Sequence, residues 1–220
     1  MTGKEPLRAA LFDLDGVVFD TEPQYTVFWG GVCRQYHPEH PGLEQEIKGQ
    51  TLEQIMERCW SGPLEQERQN VIDRLNEFEA QMQFCYVPGF ENFIADLRHN
   101  GMKTAVVTSS NQMKMLAVYK QRPEFLHLFD AILTSEDFAE SKPSPDCYLR
   151  AAARFDMSRE QCVVFEDSIN GLRSGRAAGM MVVGLTTTNP REAVIPLSDY
   201  QTEDYNDLDY KRLNKLWQDI

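Results

Sequence analysis

The sequence lacks any apolar run that approaches the roughly 20 residues needed to cross a bilayer. Its first residues, Met1–Pro6, also lack the charged and then apolar pattern of a secretory signal. Cysteine is scarce: the five residues are odd in number and show no Cys-x-x-Cys spacing, which argues against a disulfide framework and a zinc site. We therefore expect a cytoplasmic protein whose cysteines are mostly small buried hydrophobic residues.

Positive charge is in short supply. Lysine and arginine number 22 against 34 aspartates and glutamates, for a formal net charge of -12 at pH 7. Nucleic acids and anionic membranes are bound through cationic patches, so this balance argues against both as partners. An anionic small substrate is compatible with this net charge only if a metal ion and a few local cations reverse the negative electrostatic field of the protein. The 42% hydrophobic and 25% charged content is that of a soluble globular protein.

Two aspartates follow the first apolar run of the chain. Ala9–Phe12 predicts a short buried strand that ends at Asp13. On an extended backbone Asp13 and Asp15 point to the same side, and Gly16 lets the chain turn. Carboxylates this close repel unless a divalent cation or a proton lies between them. The alternative is that they form only the polar edge of a strand.

A charged, helix-rich stretch runs from residue 21 to about residue 85. Three helices are predicted there, at Pro23–Tyr36, Leu43–Trp60 and Leu64–Phe84. The second is interrupted at residues 48–51, where we expect a projecting loop. The pattern predicts a small helical cap domain at residues 21–85, inserted into a core domain of residues 1–20 and 86–220.

Strands and helices alternate after residue 86. Strands are predicted at Thr104–Val107, Phe129–Leu133, Cys162–Phe165 and Met180–Leu185, and a terminal helix at Leu208–Trp217. Alternation of this kind predicts an α/β fold with a doubly wound parallel sheet, which binds ligands at the carboxyl ends of its strands.

Two of the intervening helices have start signals. Ser144 and Pro145 are predicted to begin one helix as its N-cap and first-turn proline, and Ser168 is predicted to cap another.

Polar residues also follow the later strands or lie in the loops between them. They are Thr108 and Ser109, then Lys142, then Glu166 and Asp167. Each has a simpler interpretation when taken alone. Thr108 and Ser109 could cap the next helix, Lys142 could be a solvated surface lysine, and the acidic pair could respond to a helix dipole.

Taken together, the motifs resemble those of the haloacid dehalogenase superfamily of phosphohydrolases. They are DLDGV at 13–17, the threonine at 108, KPSPD at 142–146 and FEDSINGLRSGRAAG at 165–179. The helical insert after the first motif resembles the type 1 cap of relatives of β-phosphoglucomutase. The resemblance implies a Rossmann-like α/β core. KPSPD departs from the commoner GKPxPD, because Ser141 precedes the lysine.

The resemblance also implies a metal site. Mg²⁺ would be held by the Asp13 carboxylate, the Asp15 backbone carbonyl and the Asp167 carboxylate, and Glu166 would orient a metal-bound water. Oxygen ligands suit this hard cation.

Catalytic roles follow from the same resemblance. Asp13 is implied as the nucleophile that forms an aspartyl-phosphate, and Asp15 as the general acid and base. Thr108 and the Ser109 amide would hold the phosphoryl oxygens, while Lys142 would offset their charge in the transition state.

The insert differs from that of β-phosphoglucomutase at two positions. Thr21 and Trp29 match, but Tyr25 stands where the mutase has a histidine, and Leu52 replaces the arginine that grips a second phosphate. Both differences favour simple hydrolysis. Tyr25 and Trp29, four residues apart, could equally belong to the apolar core of the insert.

Lys48, Gln50 and Thr51 are candidates for substrate contact because they lie on an interrupted polar segment; the alternative is a solvated turn. The sequence thus predicts a monomeric, Mg²⁺-dependent phosphatase for a small phosphorylated metabolite, in particular a sugar or polyol phosphate. A sugar phosphomutase and a pyrophosphatase are the enzymatic alternatives. A phosphate-sensing binding module is the alternative without catalysis, although such a module needs no acid/base residue such as Asp15.

Overall fold

A single parallel sheet organises the molecule in the computed structural model, which describes residues 4–220. Its strands are β1 (Ala9–Phe12), β2 (Lys103–Val107), β3 (Ala131–Leu133), β4 (Cys162–Glu166), β5 (Met181–Leu185) and β6 (Tyr200–Thr202). Their order is β3-β2-β1-β4-β5-β6 and every neighbouring pair is parallel. The predicted doubly wound α/β fold is confirmed, and β1 lies where the strand order reverses.

Six helices accompany the sheet. They are α5 (Phe90–His99), α6 (Gln112–Gln121), α7 (Asp146–Arg154), α8 (Ile169–Ala177), α9 (Arg191–Val194) and α10 (Tyr210–Asp219). Ser168 caps α8 as predicted, since its hydroxyl accepts a hydrogen bond from the Gly171 amide at 3.0 Å. Ser144 is not the N-cap of α7. Pro145 holds that position, and the Ser144 hydroxyl donates to the Glu140 carboxylate at 2.7 Å.

Four helices form the insert between β1 and α5. They are α1 (Glu22–Tyr36), α2 (Leu43–Glu46), α3 (Leu52–Cys59) and α4 (Arg68–Gln81). The predicted interruption is present, because the chain leaves helical structure between α2 and α3. The third helix predicted for the insert, Leu64–Phe84, corresponds to α4, which begins later, at Arg68. Before it, Gly62–Glu67 forms a 3-10 turn that starts at a glycine and a proline.

Two apolar clusters cover the two faces of the sheet. On one face Phe12 stacks on Phe165 with ring centroids 4.6 Å apart, and Phe90 and Phe93 contact its edges. On the other face smaller residues such as Leu11 pack under α7 and α8. Because successive residues of a strand point to opposite faces, β1 is apolar throughout its length.

The insert has a third apolar cluster of its own, which includes Trp29, Trp60 and Leu75. The chain enters and leaves the insert side by side: the Asp20 amide donates to the Cys85 carbonyl at 2.8 Å. The boundaries of the cap domain at residues 21 and 85 stay a prediction. Within residues 4–220, no helix is long and apolar enough to cross a membrane.

Phe12 contacts five aromatic rings at the centre of the sheet, so we expect Phe12→Ala to lower the free energy of unfolding by about 3–5 kcal/mol. Urea denaturation would measure the change. Val27→Ala is the control because Val27 is 76% exposed, and it should change the stability by less than about 0.5 kcal/mol. Equal effects of the two variants would contradict this account of the core.

Candidate active site

The end of β1 brings Asp13 and Asp15 to the carboxyl edge of the sheet. The Asp13 amide donates to the Phe165 carbonyl at 3.0 Å, which ties the first residue after β1 to β4. Gly16 then adopts a positive φ of 73°, and a Cβ there would overlap the Asp167 carboxylate. Glycine is therefore required for Asp167 to approach the loop.

Lys142 is buried between two carboxylates. Its Nζ lies 2.5 Å from Asp13 Oδ1 and 2.6 Å from Glu166 Oε1, and it donates to the Val107 carbonyl at 3.0 Å. The side chain is 1% exposed, so the interpretation of Lys142 as a solvated surface lysine is wrong.

Glu166 has hydrogen-bond partners on both of its oxygens. Oε1 accepts from Lys142 and from the Tyr148 hydroxyl at 2.9 Å. Oε2 accepts from the backbone amides of Asp167 at 3.0 Å and Ser168 at 3.2 Å. This fully buried carboxylate therefore shapes the turn that leads from β4 into α8.

An acidic cluster suited to a metal ion lies beside this lysine. One oxygen from each of Asp13, Glu166 and Asp167 lies within 4.8 Å of the others. Burial raises the pKa of Asp167 well above its usual value, and the neighbouring carboxylates Glu22, Glu166 and Asp13 raise it further. A cluster of carboxylate oxygens that repel one another fits Mg²⁺, which prefers hard oxygen ligands and would relieve the repulsion.

The pKa of Asp13 is also raised, to about 7, because burial outweighs the opposing effect of Lys142. Glu166 and Asp15 add to the increase through their negative charge. Without a cation, Asp13 thus binds a proton more tightly in the folded chain than in the unfolded chain.

Asp15 is held by three donors. The Thr21 hydroxyl donates to Oδ1 at 2.5 Å, the Ser110 hydroxyl donates to Oδ2 at 3.1 Å, and Lys114 Nζ forms a very short ion pair with Oδ2. Lys114 was not among the residues predicted from the sequence. The available signal was a cation on the buried stripe of α6, whose other buried members are Met115 and Val118.

Thr108 and Ser109 do not cap the next helix. The Asn111 side chain is the N-cap of α6 and accepts from the Lys114 amide at 3.0 Å, so the capping interpretation is wrong. Thr108 is buried, and its hydroxyl accepts from the Ser110 amide at 3.0 Å. Thr108 and Ser109 instead line a cavity that also includes Asp13 and Asp15.

The loop between α2 and α3 lies over the edge of the sheet and closes this cavity. The Ser109 hydroxyl donates to the Gly49 carbonyl at 3.3 Å, and the Asn170 amide group donates to the Lys48 carbonyl at 3.2 Å. The insert and the sheet thus meet directly above the aspartates. The enclosed region comprises about 820 Å³ of empty space, part of it open to solvent.

The three substrate-contact candidates of this loop have different surroundings. Lys48 lines the cavity and its Nζ lies 3.0 Å from Glu22 Oε2; Gln50 also lines it. Thr51 lies outside the lining residues. Its hydroxyl accepts from the Gln54 amide at 3.3 Å in a capping box that starts α3.

Tyr25 and Trp29 serve both the insert core and the cavity wall. Both line the cavity, and both pack with the apolar cluster of the insert. The Tyr25 hydroxyl donates to Glu79 Oε1 at 2.6 Å, and Lys114 Nζ lies 4.6 Å from the centroid of the Tyr25 ring. Tyr25 therefore presents to this region a hydroxyl that is bonded to a carboxylate.

Comparison with known proteins agrees with this site. The family model described as haloacid dehalogenase-like hydrolase matches residues 10–185. The Beta-phosphoglucomutase of Bacillus subtilis (strain 168) is 27% identical over 226 residues, covering 96% of this chain and 96% of that protein. The Phosphorylated carbohydrates phosphatase of Thermotoga maritima is 28% identical over 183 residues, covering 79% of this chain and 82% of that protein. The resemblance expected from the four motifs is confirmed.

The fold has solved counterparts as well. The crystal structure of a HAD hydrolase, family IA, variant 3, from Entamoeba histolytica HM-1:IMSS superimposes with a TM-score of 0.80. That likeness covers 96% of this chain and 99% of the other at 19% identity, and it shows the shared fold.

The raised pKa of Asp13 predicts a pH dependence of stability in the absence of metal. Between the ordinary pKa of an aspartate and about 7, the unfolded chain loses this proton while the folded chain keeps it, so stability falls as the pH rises. Relative to Asp13→Asn, the free energy of unfolding of the wild-type chain in EDTA should fall by on the order of 2 kcal/mol between pH 5 and pH 8, measured by urea unfolding. Mg²⁺ added at pH 8 should restore part of this stability. If the wild-type chain instead became more stable relative to Asp13→Asn as the pH rises, the prediction would be contradicted.

Proposed function

This chain belongs to the haloacid dehalogenase-like hydrolase family, and from that premise we propose that it is a Mg²⁺-dependent phosphatase. Its substrate would be a small phosphate monoester, in particular a sugar or polyol phosphate, cleaved through an aspartyl-phosphate on Asp13. The observation that carries the proposal is the convergence of Asp13, Asp15 and Asp167 on one cavity, with the buried Lys142 ammonium bonded to Asp13.

Asp13 acts as the nucleophile in this proposal. Its carboxylate oxygen attacks phosphorus and the bond from phosphorus to the leaving oxygen breaks, which divides one difficult displacement into two easier ones. The buried Lys142 ammonium lies against Asp13 and offsets the negative charge of the phosphoryl group in the transition state.

In its protonated form Asp15 would give a proton to the leaving oxygen, and the resulting carboxylate would later take one from the water that hydrolyses the aspartyl-phosphate. Acid/base work depends on a fixed position within hydrogen-bond reach of the transferred proton. Thr21, Ser110 and Lys114 hold both carboxylate oxygens of Asp15, and this supports an orienting role for all three.

Mg²⁺ would be held by the carboxylates of Asp13 and Asp167 and by the Asp15 carbonyl, and when bound it would neutralise the charge of the phosphoryl oxygens. Thr188 donates to Asp167 and so restrains one of these ligands. Glu166 supports the site by positioning Lys142 and the Asp167 backbone, since its own oxygens already have partners.

The remaining parts of the cavity would bind the ester. Thr108 and Ser109 lie at the end of β2 and would receive the phosphoryl oxygens. We propose that residues 21–85 form a cap that covers the site, with Lys48 and Gln50 facing the substrate. Thr51 would act on the start of α3 and not on the substrate.

A sugar phosphomutase is the second candidate, because the Bacillus subtilis Beta-phosphoglucomutase matches this chain over nearly its whole length. Two observations favour hydrolysis. Leu52 places an apolar side chain in the cavity wall, and among the described residues no arginine lines the cavity. Tyr25 is bonded to Glu79 and so already has a partner within the insert.

The first test is phosphate release in the presence of Mg²⁺ across sugar phosphates, polyol phosphates, pyrophosphate and β-glucose 1-phosphate. We expect one ester to be preferred, and Asp13→Asn and Asp15→Ala to reduce turnover by at least about 10³-fold. EDTA should abolish turnover. Glu77→Gln, an exposed change on α4, is the control.

Two results would count against the phosphatase. Conversion of β-glucose 1-phosphate to glucose 6-phosphate with little free phosphate would indicate a mutase. Tight binding of esters with no turnover would indicate a binding module.

Lys114→Met should lower kcat by roughly 10- to 100-fold with little change in KM, because a hydrogen bond to a charged group contributes about 1.5–3 kcal/mol. Steady-state kinetics on the preferred ester would separate kcat from KM. Lys120→Met is the matched control, since Lys120 is exposed on the same helix. Equal kcat values for the two variants would show that Lys114 has no role in orienting Asp15.

A further inference from the structure

The cavity wall contributed by the insert is rich in carboxyl groups. Glu22 on α1, Glu44 on α2 and Glu79 on α4 all line the cavity, together with the rings of Tyr25 and Trp29. This wall faces the strand-end aspartates, so the part of an ester that lies beyond its phosphoryl group must be placed against it.

Positive charge on this wall is already paired. Among residues 4–220, Lys48 is the one lysine or arginine that lines the cavity, and its Nζ lies 3.0 Å from Glu22 Oε2. Both side chains are largely buried, with 13% and 12% exposed. Lys114 is not one of the residues that line the cavity, and it is paired with Asp15. A second anionic group on a substrate would therefore meet no free cation here.

The protonation state of the acidic residues does not alter this conclusion. Burial raises the pKa of Glu79, and its carboxyl group accepts a hydrogen bond from Tyr25. Whether ionised or protonated, the group brings no positive charge. Burying an anion without a compensating partner costs several kcal/mol, whereas neutral hydroxyl groups can donate to carboxylates and to the Gln50 side chain.

We infer that the insert wall is a leaving-group subsite for neutral, hydroxylated groups, and that it discriminates against esters carrying a carboxylate or a second phosphate. The inference rests on the proposed function, because it assumes that the phosphoryl group lies at Asp13. Apolar residues complete the subsite: Ile47, Leu52, Ile55 and Leu75 line it beside the two aromatic rings. A few polar groups among apolar walls are typical of sites for small neutral ligands.

A matched pair of esters tests the inference. Glucitol 6-phosphate and 6-phosphogluconate are both acyclic and differ only in a hydroxymethyl group against a carboxylate. We expect kcat/KM of the wild-type chain to be at least roughly tenfold higher for glucitol 6-phosphate, since tenfold corresponds to about 1.4 kcal/mol. Equal values, or a preference for 6-phosphogluconate, would overturn the inference.

Binding to the Asp13→Asn variant separates the subsite from the chemistry. Titration calorimetry in Mg²⁺ should show tighter binding of glucitol 6-phosphate than of 6-phosphogluconate. If the wild-type chain turns over neither ester but this order of affinity holds, the proposed hydrolysis fails and the subsite stands. If neither ester binds, or the order is reversed, the subsite is refuted.

Glu22→Gln tests the role of the ion pair. It releases Lys48, so the preference for the neutral ester should shrink by at least roughly fivefold, through better use of 6-phosphogluconate. Glu77→Gln makes the same change in net charge on the solvent side of α4 and should leave the ratio unchanged. Should Glu22→Gln fail to fold, Glu44→Gln removes a half-buried carboxylate from the same wall. An unchanged ratio in the folded variant would refute the inference.

Discussion

A buried lysine between two carboxylates is the interaction on which the site depends. Lys142 joins Asp13 after β1 to Glu166 at the end of β4, and both ion pairs are shorter than 2.7 Å. Removing such charges from water is costly unless each has partners with good geometry. The Val107 carbonyl and the Tyr148 hydroxyl supply those partners, so the ends of three neighbouring strands are held at set distances from one another.

Negative charge nevertheless exceeds what this lysine can neutralise. The pKa values of Asp13 and Asp167 are raised because both carboxylates are buried near others of the same sign. Such an arrangement weakens the metal-free fold and is typical of sites that are organised for a cation or for catalysis. The insert adds further negative charge to the cavity, because Glu22 and Glu79 line it as well.

The sequence was informative where the signal is local. Apolar strands ending in polar residues predicted the parallel sheet and the position of Asp13, and residues 48–51 predicted the break between α2 and α3. Strand β6 was not predicted, because its three half-buried residues form no apolar run. Lys114 was missed because its partner Asp15 lies 99 residues away in the chain. Thr51 was a candidate for substrate contact because it lies on an interrupted polar segment, and in the structure its hydroxyl caps α3.

Thr21 links the start of the insert to Asp15, beyond the end of β1. It is the residue immediately before α1, it is fully buried, and its hydroxyl donates to Asp15. A rotation of α1 away from the sheet would therefore remove a hydrogen-bond donor from Asp15, the proposed acid/base residue, and would admit solvent at the same time. Under the proposed function, such an opening would also disturb proton transfer, so an open site would be poorly organised to hydrolyse the proposed aspartyl-phosphate.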